Sequence, residues 1–163
     1  MPSRAIKVAE KPRRRAVPEA SYEHDFYAWS FAQARALRAR RPEQLDWENL
    51  AEEIESLGRS DRRQVRSRLT VILMHLLKWQ YQPKKRSTSW KVSIMAQRDE
   101  IESVLADSPS LRRRLPELLT EAYESARELA IFEMGLNKWD TSIPPERNPF
   151  TLDQVLDEDF LPE

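Results

Sequence analysis

The chain has 163 residues, with 27 Lys or Arg balancing 27 Asp or Glu, and no cysteine. That length fits one soluble domain, and the missing cysteines exclude disulfides, thiolate nucleophiles, iron–sulfur clusters and cysteine-bound zinc. The only glycines are Gly58 and Gly135, which excludes phosphate loops and dinucleotide fingerprints. No apolar run approaches the ~20 residues of a membrane span, and no secretory signal is present, so we expect a cytoplasmic protein without membrane contact.

The N-terminal third predicts an arm and two helices. Residues 1–20 are basic and contain several prolines, which predicts a disordered arm. A first helix is expected over 22–40, ended by Pro42. A second helix is expected within residues 45–58, with Asp46 as its N-cap and Gly58 as its left-handed C-cap. Its apolar positions predict a buried stripe that consists of Trp47, Leu50, Ala51, Ile54 and Leu57.

The remaining segments also read as helical. A helix is expected over 61–81, and its centre LTVILMHLLKW (69–79) is apolar nearly all round, as in an enclosed central helix. After an exposed loop at 84–88, a fourth helix is expected over 90–106. A fifth runs from Pro109 toward Met134, with a break near Arg114 caused by Pro116.

The C-terminal part predicts an extended wrap over 136–150, followed by a short helix and tail over 151–163, where Thr151 and Gln154 form a capping box. The fold class is therefore all-α. We expect residues 21–163 to form a single-domain helical bundle of about five to six helices. The tryptophans are interpreted as core anchors: Trp29, Trp47, Trp79, Trp90 and Trp139.

Polar side chains within or beside the apolar stripes define a candidate site. Burying such groups without partners costs roughly 1–3 kcal/mol each, so we expect them to meet one another. The candidate polar cluster consists of Asp25, Glu48, Glu52, Glu53, Glu55, His75, Lys78, Gln97 and Arg98.

Three interpretations of this cluster stay open. It is a structural network that fixes helix register, or a divalent metal site in which His75 is joined by carboxylates of Asp25, Glu48, Glu52 or Glu55. In the third interpretation His75 carries a proton in acid–base catalysis. Ile72 stands three residues before His75, so the Glu-x-x-His motif of metal-binding bundles is absent, and no nucleophile is visible. We favour the structural network and a non-enzyme, and predict no cofactor unless a divalent metal binds. His24 is interpreted as an exposed residue.

Basic segments raise the alternative of nucleic-acid association, through the arm and through Arg59, Arg62, Arg63, Arg66, Arg68, Lys84, Lys85 and Arg86. The zero net charge opposes that alternative. Residues 42–58 hold six acids and no base, whereas residues 59–114 hold fourteen bases and five acids. Alternating blocks of this kind favour pairing within the chain or between subunits.

Several motifs resemble one known family. They are YEHDFYAW (22–29), LDWENLAEEIESLGRSDRR (45–63), LMHLLKWQYQP (73–83), SW (89–90), QR (97–98), SPSLR (108–112) and TLDQVLDEDFLPE (151–163). Together they are similar to the bacterial family of domain of unknown function 29, over about residues 21–163. The resemblance implies a small all-helical protein, common in cyanobacteria and also found in proteobacteria, and implies no activity.

Our leading hypothesis is a helical interaction or regulatory module that self-associates or binds a protein partner. It depends on the alternating charge blocks, the basic arm and the absence of catalytic motifs.

Overall fold

The protein is described by a computed structural model that covers residues 21–137, 140 and 142–163. The predicted arm at 1–20 and Trp139 lie outside these residues. Within the described part there is no strand, which confirms the all-α prediction. The helices are α1 (Phe26–Arg38), α2 (Trp47–Tyr81), α3 (Thr88–Asp107), α4 (Leu115–Met134) and α5 (Leu152–Leu156). None of these helices combines the length and the apolar content needed to cross a membrane.

The chain divides into two compact units, the first ending at Ile54 and the second beginning at Glu55. Three short 3-10 turns each start at a proline and connect successive helices: Pro42–Gln44, Pro83–Lys85 and Pro109–Arg114. Proline suits these first positions because its fixed φ is already helical and its missing N–H has no partner there.

In the first unit, α1 begins four residues later than expected, because Asp25 is its N-cap. The Asp25 Oδ1 atom accepts a hydrogen bond from the Ala28 backbone N–H at 2.9 Å. Asp25 is exposed, so the expectation that it is buried was wrong. The face of α1 that is buried consists of Trp29, Gln33 and Ala36.

The predicted helix end at Gly58 is wrong, because α2 continues through it from Trp47 to Tyr81. A left-handed C-cap requires a positive φ, and only Gly135 among the glycines has one, at 71°. Glycine in a helix interior costs only about 1 kcal/mol relative to alanine. The ion pair between Glu55 and Arg59 spans the position at helical spacing and offsets part of that cost, about 0.2–0.5 kcal/mol.

The predicted stripe on the first turns of α2 is also largely wrong. Trp47 and Ile54 are 62% and 67% exposed, and Leu57, at the start of the second unit, is exposed too. The 3.6-residue periodicity correctly placed these apolar residues on one side of the helix. That side is exposed, because no described side chain covers it. Among the other tryptophans, Trp29 and Trp79 are buried and Trp90 is half-buried.

The hydrophobic core lies in the second unit. The middle of α2 supplies Val65, Leu69, Ile72, Leu73, Leu76 and Leu77, all fully buried. This confirms the prediction of an enclosed central segment. Residues of α3 and α4 pack against it, and they include Ile94, Ile101, Leu105, Leu118, Ala122 and Ala126.

Local signals at the C-terminal end were confirmed. Pro116 lies in the first turn of α4 after a 3-10 turn, and Gly135 is the left-handed C-cap of that helix. Thr151 and Gln154 form the predicted capping box of α5. In the segment between them, Pro144 and Pro145 accept hydrogen bonds from Arg127 Nε and from the Tyr123 hydroxyl, so this stretch is held against α4. Burial raises the pKa of Tyr123 to about 12.

Candidate functional site

In the first unit, Asp46 is the centre of a small polar network. Its carboxylate accepts hydrogen bonds from Trp29 Nε1 at 3.2 Å and from Asn49 Nδ2 at 2.7 Å. Its backbone N–H donates to Gln33 Oε1 at 2.8 Å. The hydrogen bond from Asn49 lowers the pKa of Asp46. This network fixes α1 against the start of α2, because it satisfies polar atoms on both helices.

A second hydrogen bond joins the turn before α1 to α2. The Tyr22 hydroxyl donates to Glu53 Oε1 at 2.5 Å, and this bond raises the pKa of Tyr22 to about 12. The Tyr22 ring packs edge-on against Trp29, with ring centroids 4.9 Å apart. Glu53 therefore has a structural partner in the first unit, whereas its neighbours Glu48 and Glu52 are exposed.

In the second unit, Lys78 is a buried cation with two partners. Its Nζ lies 2.5 Å from Glu133 Oε2 on α4 and 4.5 Å from the centre of the Trp90 ring on α3. Ion pairing and cation–π attraction both compensate the loss of water around the ammonium group. Lys78 thus connects three helices.

His75 lies one turn before Lys78, with its ring centroid 6.3 Å from that of Trp90. Its Nδ1 atom is buried and has no hydrogen-bond partner among the described residues. Burial, reinforced by the positive charge of Lys78, lowers the pKa of His75, so the imidazole is neutral near pH 7. No carboxylate within the described ranges forms a hydrogen bond or an ion pair with it, so an oriented acid–base pair is not present there.

Arg98 attaches the C-terminal segment to α3. Its guanidinium is nearly fully buried and donates to backbone carbonyls of Val155, Glu158, Gln154 and Phe160, at distances of 2.9–3.4 Å. Burial lowers the pKa of Arg98. Five N–H donors in a planar fork suit several carbonyls at once, so Arg98 has a structural role.

The nine residues of the predicted polar cluster are divided between the units, with Asp25, Glu48, Glu52 and Glu53 in the first. The other five lie in the second unit, where His75 and Lys78 share a contact with the Trp90 ring and the remaining three take separate partners. Gln97 accepts from Arg68 at 3.0 Å, and Glu55 pairs with Arg59. No hydrogen bond in the described part of the second unit joins His75, Gln97 and Arg98 to one another.

The metal interpretation finds no support in the geometry. Among residues 21–137, 140 and 142–163, no group of three or more His, Asp or Glu side chains is arranged to hold a metal ion. The candidate ligands Asp25, Glu52, Glu55 and His75 therefore do not form such a group.

The basic residues of the nucleic-acid alternative fall into two groups. On α2, Arg59, Arg62, Arg66 and Arg68 pair with carboxylates, and the Arg62 contact to Glu121 is 2.6 Å long, whereas Arg63 is exposed and forms no ion pair with a described residue. The turn after α2 differs, because Lys84 and Lys85 are exposed and form no ion pair within the described part of the chain. Arg86 donates from Nε to the Trp79 carbonyl.

An exposed apolar surface of the first unit lies on α2. Trp47, Ala51 and Ile54 follow one another at i, i+4 and i+7, and therefore form one stripe. Glu48 and Glu52 border the stripe, and neither forms an ion pair among the residues that the structure describes. We call these five residues the acidic-edged face.

Sequence reasoning missed three partners that the structure supplies. Gln33 is buried on α1, and Glu133 neutralises Lys78. Trp90 was expected only to pack in the core, whereas its ring also makes a cation–π contact with Lys78. A polar residue in line with Trp29 and Ala36 on a helical wheel was the available signal for Gln33. No signal in the sequence pairs Glu133 with a lysine 55 residues away.

The comparisons with known proteins give a family and no activity. No curated protein and no solved structure matches this chain. A family model described as "Domain of unknown function DUF29" matches residues 21–161. The match spans both helical units and the C-terminal segment held by Arg98. The chain belongs to this family of unknown function.

Proposed function

We propose that the chain is a non-catalytic helical module that associates with a second copy of itself through the acidic-edged face. The observation that carries the proposal is the exposure of Trp47 and Ile54, which are 62% and 67% accessible on one side of α2. Large apolar side chains that lie together on a soluble surface, rimmed by polar groups, are typical of protein interfaces.

The composition of the face supports a protein as the occupant. Tryptophan is among the residues that contribute most to binding energy at interfaces, and two carboxylates at the rim give selectivity for a partner surface. The chain has 27 bases and 27 acids in alternating blocks, so a second copy offers cations that match this rim.

The polar groups elsewhere support a non-catalytic role. Asp46, Lys78 and Arg98 are occupied by structural hydrogen bonds or ion pairs. His75 is neutral and has no described carboxylate to orient it. A histidine that acts as general acid or base lies within hydrogen-bond reach of a substrate proton, and a carboxylate that orients its ring favours that role.

The experiment is sedimentation equilibrium of the wild type and of a W47A/I54A double variant, up to about 1 mM, the weak end of specific association. We expect the wild type to exceed its monomer mass of 19.3 kDa and the variant to remain monomeric. The matched control is L129A/F132A, which removes two exposed apolar side chains from α4 and leaves the acidic-edged face intact. A monomeric wild type over the whole range, or association that W47A/I54A leaves unchanged, overturns the proposal.

A further inference from the structure

We infer that the acidic-edged face of one copy binds a basic, apolar surface at the start of α3 of a second copy, so that the molecules associate head to tail. This inference rests on the self-association proposed above and names the receiving surface. That surface lies wholly in the second unit. It consists of Lys84, Lys85, Arg86, Lys91, Val92 and Met95, and we call it the basic-edged patch.

The charge of the patch is not neutralised within the described chain. Residues 62–98 contain ten Lys or Arg and no Asp or Glu. Several of those cations already have partners within the chain. Ion pairs with carboxylates are formed by Arg62, Arg66, Arg68 and Lys78, and Arg98 donates hydrogen bonds to backbone carbonyls. Lys84, Lys85 and Lys91 form no ion pair with any described carboxylate. The patch therefore holds the three lysines of this region that have no described ion pair, whereas Arg63, which is exposed and also has no described ion pair, lies outside the patch.

Two of these cations are held in place by Trp79. The Arg86 guanidinium lies 5.1 Å from the centre of the indole ring, and Arg86 Nε donates to the Trp79 carbonyl at 2.9 Å. The Lys91 ammonium lies 5.2 Å from the same ring. A π face and a carbonyl fix a cation without cancelling its charge. The patch is thus partly pre-organised, which reduces the entropy lost when a partner binds.

Val92 and Met95 supply the apolar part of the patch. They are 58% and 57% exposed and lie one turn apart on α3. The opposite side of α3 is buried through Ile94, Ile101 and Leu105. Methionine adapts its shape to a partner because its side chain is unbranched and flexible, so it suits a large ring such as that of Trp47.

Charge complementarity selects this patch over a second acidic-edged face. A two-fold contact between acidic-edged faces would place Glu48 and Glu52 of both copies in one interface with no cation of the face to neutralise them, and like charges at an interface cost several kcal/mol. The basic-edged patch instead offers lysines to those carboxylates and Val92 and Met95 to Trp47 and Ile54. Because the two surfaces differ, a bound pair retains one free face on one copy and one free patch on the other, and the assembly grows or closes into a ring.

The experiment mixes two variants, each defective in one surface. W47A/I54A removes the apolar part of the acidic-edged face, and V92A/M95A removes that of the basic-edged patch. Neither introduces a charge that could create a new contact. We expect each variant alone to be monomeric in sedimentation velocity and an equimolar mixture to form a 1:1 heterodimer, because the mixture contains one intact pair of surfaces. L129A/F132A should assemble as the wild type does.

Three outcomes overturn the inference, and they differ from failure of the proposed function. Association of V92A/M95A equal to that of the wild type shows that the patch is not the receiver, and leaves self-association standing. Two monomeric variants that stay monomeric when mixed contradict head-to-tail binding. Heparin binding that a K84E/K85E variant abolishes, with self-association intact, assigns the patch to a polyanion. A wild type that is monomeric at every concentration contradicts the proposed function itself.

Discussion

The two units use their apolar residues in opposite ways. In the described part of the first unit, Trp29 and Ala36 are the buried hydrophobic residues, whereas six large ones are at least 49% exposed: Phe26, Tyr27, Phe31, Leu37, Trp47 and Ile54. The second unit, which is about twice as long, buries a continuous core drawn from α2 to α5. The first unit is held largely by the hydrogen bonds around Asp46, and its apolar side chains remain available to a partner.

This contrast has an energetic meaning. Each buried aliphatic side chain contributes about 1.5–3 kcal/mol relative to an exposed one, so the core accounts for most of the stability of the second unit. The first unit gains little from this source, and hydrogen bonds contribute only about 0.5–1.5 kcal/mol each. We therefore expect the first unit to unfold locally before the second does.

The largest expected effect comes from comparing two substitutions, each of which replaces a large aliphatic side chain with alanine, one in each unit. Leu118→Ala removes a fully buried side chain from the core and should lower the free energy of unfolding by about 3–5 kcal/mol, because it leaves a cavity. Ile54→Ala, at an exposed position, should change it by less than about 0.5 kcal/mol. Urea denaturation of monomeric samples measures both. Equal effects would contradict the assignment of the core to the second unit.

Loss of the Arg98 contacts should come next in size. Arg98→Ala leaves several carbonyls of the C-terminal segment without donors, at about 1–3 kcal/mol for each buried one, so we expect a total loss of about 3 kcal/mol. Hydrogen exchange should become faster across α5 in particular. Arg113→Ala, at an exposed arginine, is the control and should leave α5 protected. Unchanged exchange in Arg98→Ala would show that the segment is held by apolar packing alone.

A smaller effect is expected in the first unit. Asp46→Ala removes the acceptor of Trp29 Nε1 and of Asn49, and should destabilise the contact between α1 and α2 by about 1–2 kcal/mol. The measurement is hydrogen exchange of α1, with Glu48→Ala as the neighbouring control. Core amides of the second unit should exchange at the wild-type rate. Faster exchange there as well would mean that the two units unfold together.

The smallest expected effect is the pH dependence from His75. The pKa of His75 is lowered in the folded state from 6.5, so the unfolded chain binds the proton more strongly. The contribution of neutral His75 to the free energy of unfolding is fully present above pH 6.5, and it is lost as the pH falls through the folded-state pKa. The free energy of unfolding then changes by at most about 1.4 kcal/mol per pH unit.

Urea midpoints between about pH 5 and pH 8, where histidine titrates, should therefore fall less steeply on acidification in His75→Gln than in the wild type. The control is His24→Gln, at an exposed position in the first unit. An identical pH slope in the wild type and in His75→Gln would contradict the lowered pKa.

The sequence predicted well where the controlling interactions are local. Gly135 caps α4, Thr151 and Gln154 cap α5, and the all-round apolar segment at 69–79 forms the centre of the core. These features depend on residues within a few positions of one another. Gly58 is the instructive failure, because a glycine after an apolar stripe resembles a C-cap until the following residues continue the helix.

The candidate site was less predictable because its partners are distant in the chain. Lys78 meets Glu133 and Arg98 meets residues 154–160, at separations of 55 or more. Helical periodicity shows that these charged residues lie on apolar faces of their helices, but it does not show which distant residues they contact. The exposure of Trp47 was missed for a related reason, since an apolar stripe has the same pattern whether the chain or a partner covers it.

The Arg98 contacts also set an order of events during synthesis. The guanidinium of Arg98 and the Val155 carbonyl are 57 residues apart, and ribosomes add about 5–20 residues each second. Arg98 is therefore made roughly 3–11 s before its first acceptor exists. Over that interval the Arg98 cation lacks the carbonyl acceptors that it has in the folded protein, and water solvates it instead. The contacts between α3 and the C-terminal segment therefore form only after α2, α3 and α4 have all been synthesised.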